Sequence, residues 1–325
     1  MTFYISRYKN MDSVEFDIEI VTPMFLGGAN TTDAELRVPS IKGMLRFWWR
    51  AICGIESLEE MKKTEAEIFG STEQKASFSI QVVNSNNINS MLELKEKGEK
   101  FEVHGHYVSI IDYLSYGTYK YEKRKGNVYF KQHIAPGSSF SLKFQFYNNE
   151  LKDDILRAFY FFIAYGGLGS RSRNGFGSLY IKNNDNKMRA YDQLLLSSFS
   201  AFSTKAKLFT FVQKNTWHTA LSKIGMAYKE AKLCVDPLHS YNNRKLVVAP
   251  ITVNKRNKAD LDRHAKPYYL HVNKLKNENF QGQILFMPYN YLAEHKSYSK
   301  DKLNQYLKIC EEMNAKLSEL LKVQK

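Results

Sequence analysis

SVEFDIEIV, residues 13–21, is where the fold is decided. Val14, Phe16, Ile18 and Ile20 share one side of a period-two pattern, as in a half-buried strand. The strand leads into a loop holding Pro23, Gly27 and Gly28, and the loop into VPSIKGMLRFWWRA, residues 38–51. Ser40 has the chemistry of an N-cap and sets the expected start of a helix. At about 100° per residue, Lys42, Arg46 and Arg50 line up as one stripe, beside a face of Ile41, Leu45, Trp48, Trp49 and Ile52. The tryptophans are expected in the core, with a basic edge next to them.

The pattern continues outward from this pair of elements. Ser57 and Glu60 form a capping-box pair that predicts a second helix, stopping at Gly70. Residues 77–83 read as a strand, 84–100 as a polar loop, and 107–114 fit no single class. Residues 116–131 read as a loop or hairpin rich in Tyr and Lys, with Lys120, Lys123, Arg124 and Lys125 close together. SFSLKFQFY, residues 139–147, alternates again, and residues 151–165 are apolar enough for a helix packed on a sheet, ending at Gly166 and Gly167. Residues 176–181 make a last strand. Strand, helices, strand, strand, helix, strand is the ferredoxin-like (RRM-like) order with insertions, an α+β fold. A hinge at residues 183–186 separates an N-terminal domain, residues 1–182, from a C-terminal one, residues 183–325. In the latter, strands at 207–212, 246–253, 268–275 and 283–288 and helices at 217–233 and 299–323 suggest a second ferredoxin-like copy.

Composition narrows the function classes. The 325 residues carry 47 Lys+Arg against 33 Asp+Glu, a formal charge of +14, which favours a polyanionic partner: nucleic acid, an acidic membrane face or an acidic protein. Cys53, Cys234 and Cys310 are far apart and in no metal spacing. The opening residues lack the apolar stretch of a secretory signal, and no run approaches the roughly 20 apolar residues of a membrane span. A reducing cytoplasm is the expected location.

Two segments have the chemistry to hold such a partner. GGLGSRSRNGFGS, residues 166–178, places Arg171, Arg173 and Asn174 among five glycines. Glycines such as Gly166, Gly167 and Gly169 permit positive φ and close approach of the backbone, exposed N–H groups bind anions, and guanidinium groups grip phosphate in pairs. No G-K-[ST] follows, and the spacing is not that of a dinucleotide fingerprint. A flexible connector is the plainer alternative. In the opening helix, Gly43 leaves room for a ligand near free N–H groups, with Arg37 just upstream. A solvated face is the plainer reading of Lys42, Arg46 and Arg50.

Together, VPSIKGMLRFWWRA and GGLGSRSRNGFGS resemble the RAMP superfamily of CRISPR effector proteins. The wording is most similar to the RAMP subunit that holds the 3′ region of the guide RNA in type III-B (Cmr) complexes. TPMFLGGA, residues 22–29, and RHAKPYYLHV, residues 263–272, agree more loosely and bring in Arg263 and His264. The resemblance implies tandem ferredoxin-like folds, binding of guide crRNA and, in the complex, access to target RNA. It also implies assembly with other RAMP subunits, no cofactor and a non-catalytic role.

Two other readings stand beside it. A metal-independent endoribonuclease processing precursor crRNA needs a base, an acid and a cation at the phosphate. His104, His106, His133 and Tyr107 are available for these roles. His104 and His106 share one side of a strand, but two imidazoles without a carboxylate cluster are weak metal ligands. His218, His239, His264, His271 and His295 are scattered, and Asp153 and Asp154 suit a helix N-terminus. A protein-only scaffold, its charge meeting acidic partners, is the third reading.

Overall fold

The computed structural model describes residues 11–103, 105–183, 193–238, 242–248, 264–293 and 299–322. The alternating segment forms β1 (Asp12–Ile20), with Phe16, Ile18 and Ile20 fully buried. Two helices follow, α1 (Val38–Ile52) and α2 (Leu58–Phe69), then β2 (Phe78–Asn87). After a long insertion come β3 (Ser139–Phe146), α3 (Lys152–Tyr165) and β4 (Leu179–Ile181). Every pairing in the sheet is antiparallel and the spatial order is β4-β1-β3-β2, the order of a ferredoxin-like sheet. Its helix-side face closes on aromatic rings: Phe16 and Phe144 sit 4.8 and 5.0 Å from Phe159 of α3. Trp48 of α1 is fully buried and Trp49 nearly so, as the pattern predicts.

Local chemistry sets the helix ends. Ser57 accepts a hydrogen bond from the Glu60 N–H, and Gly70 closes α2 with a φ of 82°. In α1 the start differs from expectation: Arg37, not Ser40, occupies the N-cap, without a side-chain cap bond. Pro39 explains the shift, since its fixed φ and missing N–H suit the first turn and draw the helix start toward it.

Compactness divides the chain into two units that differ from a single cut at residue 183. One comprises Met1–Leu94, Gly117–Ser172 and Phe176–Asp192; the other Lys95–Tyr116, Arg173–Gly175 and Gln193–Lys325. The expected hinge at residues 183–186 lies, beyond Asn183, outside the described residues.

The second unit has β5 (Lys207–Lys214), α4 (Trp217–Cys234), β6 (Tyr268–Lys274), β7 (Phe280–Phe286) and α5 (Lys300–Lys322). The sheet order is β5-β7-β6, antiparallel throughout, which is the ferredoxin-like order without an edge strand among the described residues. Gly282 lets α4 lie close on the sheet: a Cβ there would stand 2.9 Å from the Ala220 carbonyl oxygen. The strand expected at residues 246–253 is not formed in its first part, where Arg244–Val247 is a helical turn; residues 249–253 lie outside the described set. The same unit takes up part of the insertion, a hairpin (Lys100–Val103 with His106–Ser109) followed by the short helix Ile110–Leu114, capped by Ser109.

Candidate nucleic-acid interface

α1 begins with no acidic residue in its first turn. Arg37 stands 4.0 Å from Glu35, both well exposed, and Gly43 is exposed with open space where a Cβ would be. Packing therefore does not demand glycine there, and the surface beside it is open to a ligand. Lys42 is half-buried, its ammonium 5.6 Å from the centre of the Phe78 ring. Burial, and then the charge of Arg46, lower its pKa.

The rest of the expected stripe is occupied within the fold. Arg46 donates to the carbonyls of Phe69 and Gly70 at 3.2 and 2.9 Å. It also lies 3.7 Å from Glu65. Arg50 grips the same carboxylate through two nitrogens, one at 2.9 Å, and this hydrogen bonding raises its pKa. α2 has no basic residue in its last turn, so Arg46 supplies the cation its C-terminal carbonyls favour. The basic stripe is chiefly a clasp between α1 and α2, which corrects the expectation of a row open to phosphate.

The glycine-rich loop divides into parts with different roles. Gly166 and Gly167 are buried. A Cβ on Gly166 would lie 2.5 Å from Nε1 of Trp48, and one on Gly167 2.5 Å from the Phe176 carbonyl oxygen. They serve packing rather than ligand approach. Gly169, at φ 95°, is half-exposed, and its Cβ would meet the Phe25 carbonyl oxygen at 2.5 Å. Next to it Ser170 donates its N–H to that carbonyl at 2.8 Å, closing a bridge between the loop and the passage after β1. Arg171 is exposed and takes a left-handed φ of 64°, rare for a residue with a side chain. Its guanidinium reaches over Gly117, where a Cβ would come within 2.3 Å of it.

Arg173 and Asn174 are fixed in the second unit. Arg173 donates to the Lys266 carbonyl at 3.0 Å and lies 4.6 Å above the Tyr269 ring. Asn174 donates to the Leu114 carbonyl and accepts from Lys266, both at 2.7 Å. His264 is also removed from the candidate set. It is buried, stacked 3.7 Å from Tyr291, and linked to the Lys245 carbonyl at 3.0 Å. Burial lowers its pKa, so it is a neutral packing residue. Arg263 and His104 lie outside the described residues.

What the first unit does assemble is a groove of about 290 Å³ lined by Phe25, Leu26, Gly27, Thr31, Lys131, Gln132, Gly169 and Ser170. The Glu35 N–H donates to the Leu26 carbonyl at 2.7 Å, tying the entry to α1 to this groove wall. Gln132 donates to the Thr32 carbonyl and its side chain accepts from Ala34. An apolar floor, hydroxyls, a left-handed glycine and one ammonium suit a sugar–phosphate chain. Thr31, Lys131 and Gln132 were not singled out by sequence. Lys131 closes the Lys-rich span before β3, but the bridges that build this groove join residues 98 and 145 apart in sequence. Beside it stands the hairpin of Tyr119–Glu122 and Gly126–Tyr129, with Tyr121 73% exposed and Lys120 over the Phe130 ring.

The described histidines stand in separate elements. His133 is buried beside Phe25, His271 is buried in β6, and His106 and His218 belong to other elements. Among the described residues no three His, Cys, Asp or Glu side chains could hold a metal ion, and no helix is long and apolar enough to cross a membrane.

Comparison with known proteins gives a consistent result. The family model described as the RAMP superfamily matches residues 17–180, half of the chain. A Pyrococcus furiosus protein named CRISPR system Cmr subunit Cmr1-2 is 27% identical over 183 residues, covering 51% of this chain and 94% of that protein. The Cmr1-1 subunit of the same organism is 29% identical over 171 residues, 51% of this chain and 47% of its own length. The apo crystal structure of Cmr1 from Pyrococcus furiosus superposes with a TM-score of 0.56 at 17% identity, covering 92% of this chain and 96% of that one. A chain of a type III-B Cmr-beta complex bound to cognate target RNA gives 0.54 at 14% identity, covering 94% and 99%. These two share the tandem fold.

Proposed function

The chain belongs to the RAMP superfamily, and from that premise we propose that it is a non-catalytic RNA-binding subunit of a type III-B CRISPR ribonucleoprotein. In this role it holds the 3′ region of a guide crRNA beside other RAMP subunits, close to target RNA, in the cytoplasm. The observation that carries the proposal is the groove in the first unit, where the glycine-rich loop and the passage after β1 meet Lys131. The RNA-contacting set is Arg37, Lys42, Gly43, Lys131, Gly169 and Arg171, with Arg46 and Arg50 held back by Glu65. The names of the relatives, Cmr subunits, and the +14 formal charge support the same reading. Contacts of this kind grip backbone without reading bases, as a subunit accepting any spacer requires.

The test is fluorescence anisotropy of the whole chain with labelled single-stranded RNA over a range of salt. Each phosphate contact contributes about 0.7 to the slope of log K against log salt. Lys131→Ala and Arg171→Ala are each expected to weaken binding and flatten that slope by about this amount. A chain with no RNA affinity at low salt, or variants that leave the slope unchanged, refutes the groove. Cut products from the labelled RNA refute the non-catalytic role. Crosslinking within a purified complex then tests the 3′ assignment through the position of the adduct on the guide.

A further inference from the structure

In the second unit β5 stands at the edge of its sheet. In the ferredoxin-like order that place belongs to an interior strand. In the first unit the matching strand, β1, is covered by β4, which pairs antiparallel with Ile18–Ile20. Among the described residues no strand covers β5, and its main chain is paired with β7 on one side. Its sequence, KLFTFVQK, has interior character: Phe209 and Phe211 are buried, and Leu208 and Val212 are left 43% and 41% exposed. Natural sheet edges are short, charged or covered, because unpaired N–H and C=O groups invite another strand. β5 carries lysine at its two ends, Lys207 and Lys214, with exposed Lys205 just before it, and no carboxylate. A bulge between Thr210 and Gln213 leaves Lys207–Thr210 as a regular run, one residue longer than the run by which β1 holds β4.

We propose that the free edge of β5 takes one extended strand of a partner protein, antiparallel to β5, with Asp or Glu flanking an apolar middle. In strand addition the main-chain hydrogen bonds supply affinity and the side chains supply selectivity. Carboxylates opposite Lys207 and Lys214 make cross-strand pairs of opposite charge, whereas like charges directly opposite destabilise. That sign sets aside a second copy of this chain. End-to-end antiparallel pairing of two β5 strands puts Lys207 of each chain against Lys214 of the other. Exposed Leu208 and Val212 call for the apolar middle. The added strand completes the four-strand order that the first unit completes with β4. β5 shares no residue with the groove, so this inference does not depend on the RNA reading.

The experiment titrates the full chain with a fluorescein-labelled peptide, Glu-Thr-Val-Thr-Val-Val-Thr-Glu, its ends blocked, and follows anisotropy and hydrogen exchange. Binding is expected to slow exchange of the β5 amides at least about tenfold. The same peptide with lysine for both glutamates is expected to bind at least about tenfold more weakly. A chain carrying Lys207→Glu and Lys214→Glu together is expected to reverse that preference, a swap that damage to the fold would not produce. Equal binding by a peptide of the same charge with proline in its middle means charge attraction alone and overturns the proposal. So do β5 amides already protected in the free chain, a dimer in sedimentation that the double variant abolishes, or no binding by the glutamate peptide. The salt slope of RNA binding is expected to keep its Lys131 and Arg171 dependence in the double variant. Loss of the peptide swap with that slope intact is failure here; a lost slope with the swap intact is failure of the groove.

Discussion

Glu65→Gln tests which task the basic stripe of α1 performs. The substitution keeps the shape of the side chain and removes the charge that Arg50 holds through two nitrogens and Arg46 approaches at 3.7 Å. Hydrogen bonds to charged groups are worth about 1.5–3 kcal/mol when desolvated and exposed pairs about 0.2–1. Glu65 is 15% exposed and the guanidiniums 43% and 35%, so the pair sits between these limits. A loss of about 1–2 kcal/mol is expected, bearing on two cations left side by side. For a unit of this size about 1 kcal/mol moves Tm by roughly 2–4 °C, giving a fall of about 3–6 °C in thermal denaturation followed by circular dichroism. Arg46→Met is expected to lower Tm at least as much, because it also strips the Phe69 and Gly70 carbonyls of their donor. Neither change should flatten the salt slope of RNA binding. If Glu65→Gln leaves Tm unchanged and Arg46→Met or Arg50→Met flattens that slope, the stripe is a phosphate surface and the clasp is incidental.

Gly177→Ala is expected to abolish folding of the first unit, since φ is 70° and the new Cβ would meet the Leu168 carbonyl oxygen at 2.0 Å; loss of the cooperative thermal transition is the readout. His264 titrates below its ordinary value when folded because burial disfavours its charge. The unfolded chain then binds the extra proton, so its contribution is present above a pH of about 6.5 and declines as pH falls below it. His264→Phe should remove that limb from the dependence of Tm on pH. The Cys310 thiol is buried and pushed up to about 12, whereas Cys234 is exposed. Iodoacetamide at pH 8 should label Cys234 in the native chain and reach Cys310 only after denaturation, as peptide mass spectrometry would show.

Elements whose signals are local were legible in the sequence. The alternation of residues 13–21 and 139–147, the Ser57 cap and the Gly70 stop each depend on neighbours within a few positions, and each element lies within a residue or two of expectation. Ser40 misled because two start signals compete one residue apart, and Pro39 prevails. The candidate site was less legible for a related reason. Arg173 and Asn174 look like ligand-binding groups in a glycine-rich loop, yet the carbonyls they satisfy, on Lys266 and Leu114, are 93 and 60 residues away. Gly166 has the permissiveness of a phosphate loop, but its lack of a Cβ is used by Trp48. Lys131 went unnoticed because the groove it lines is closed by contacts between distant segments, Gln132 with Thr32 and Ala34 and Ser170 with Phe25.

The sheet itself supplies the last argument for where RNA runs. RNA-recognition folds of this topology stack bases on aromatic rings displayed on the open face of the sheet. Here β1 turns Glu15, Asp17 and Glu19 to that face, opposite the buried Phe16, Ile18 and Ile20. Across the ladder they meet Lys143, Ser141 and Ser139, and Glu19 also pairs with Tyr180. The central strand therefore shows phosphate three carboxylates, with Lys143 opposite Glu15 and Lys182 beside Asp17, on a chain whose overall charge is +14. Two unit charges about 4 Å apart interact by about 1 kcal/mol even in water, so a strand of RNA laid across this face is repelled along its length. Lysine in place of Glu15 and Glu19 would create a binding surface where none is expected in the natural chain. The groove beside Lys131 and the open start of α1 are built from residues that follow β1 in the chain and from the glycine-rich loop, with no carboxylate in the groove lining, and the proposed path of the guide follows them.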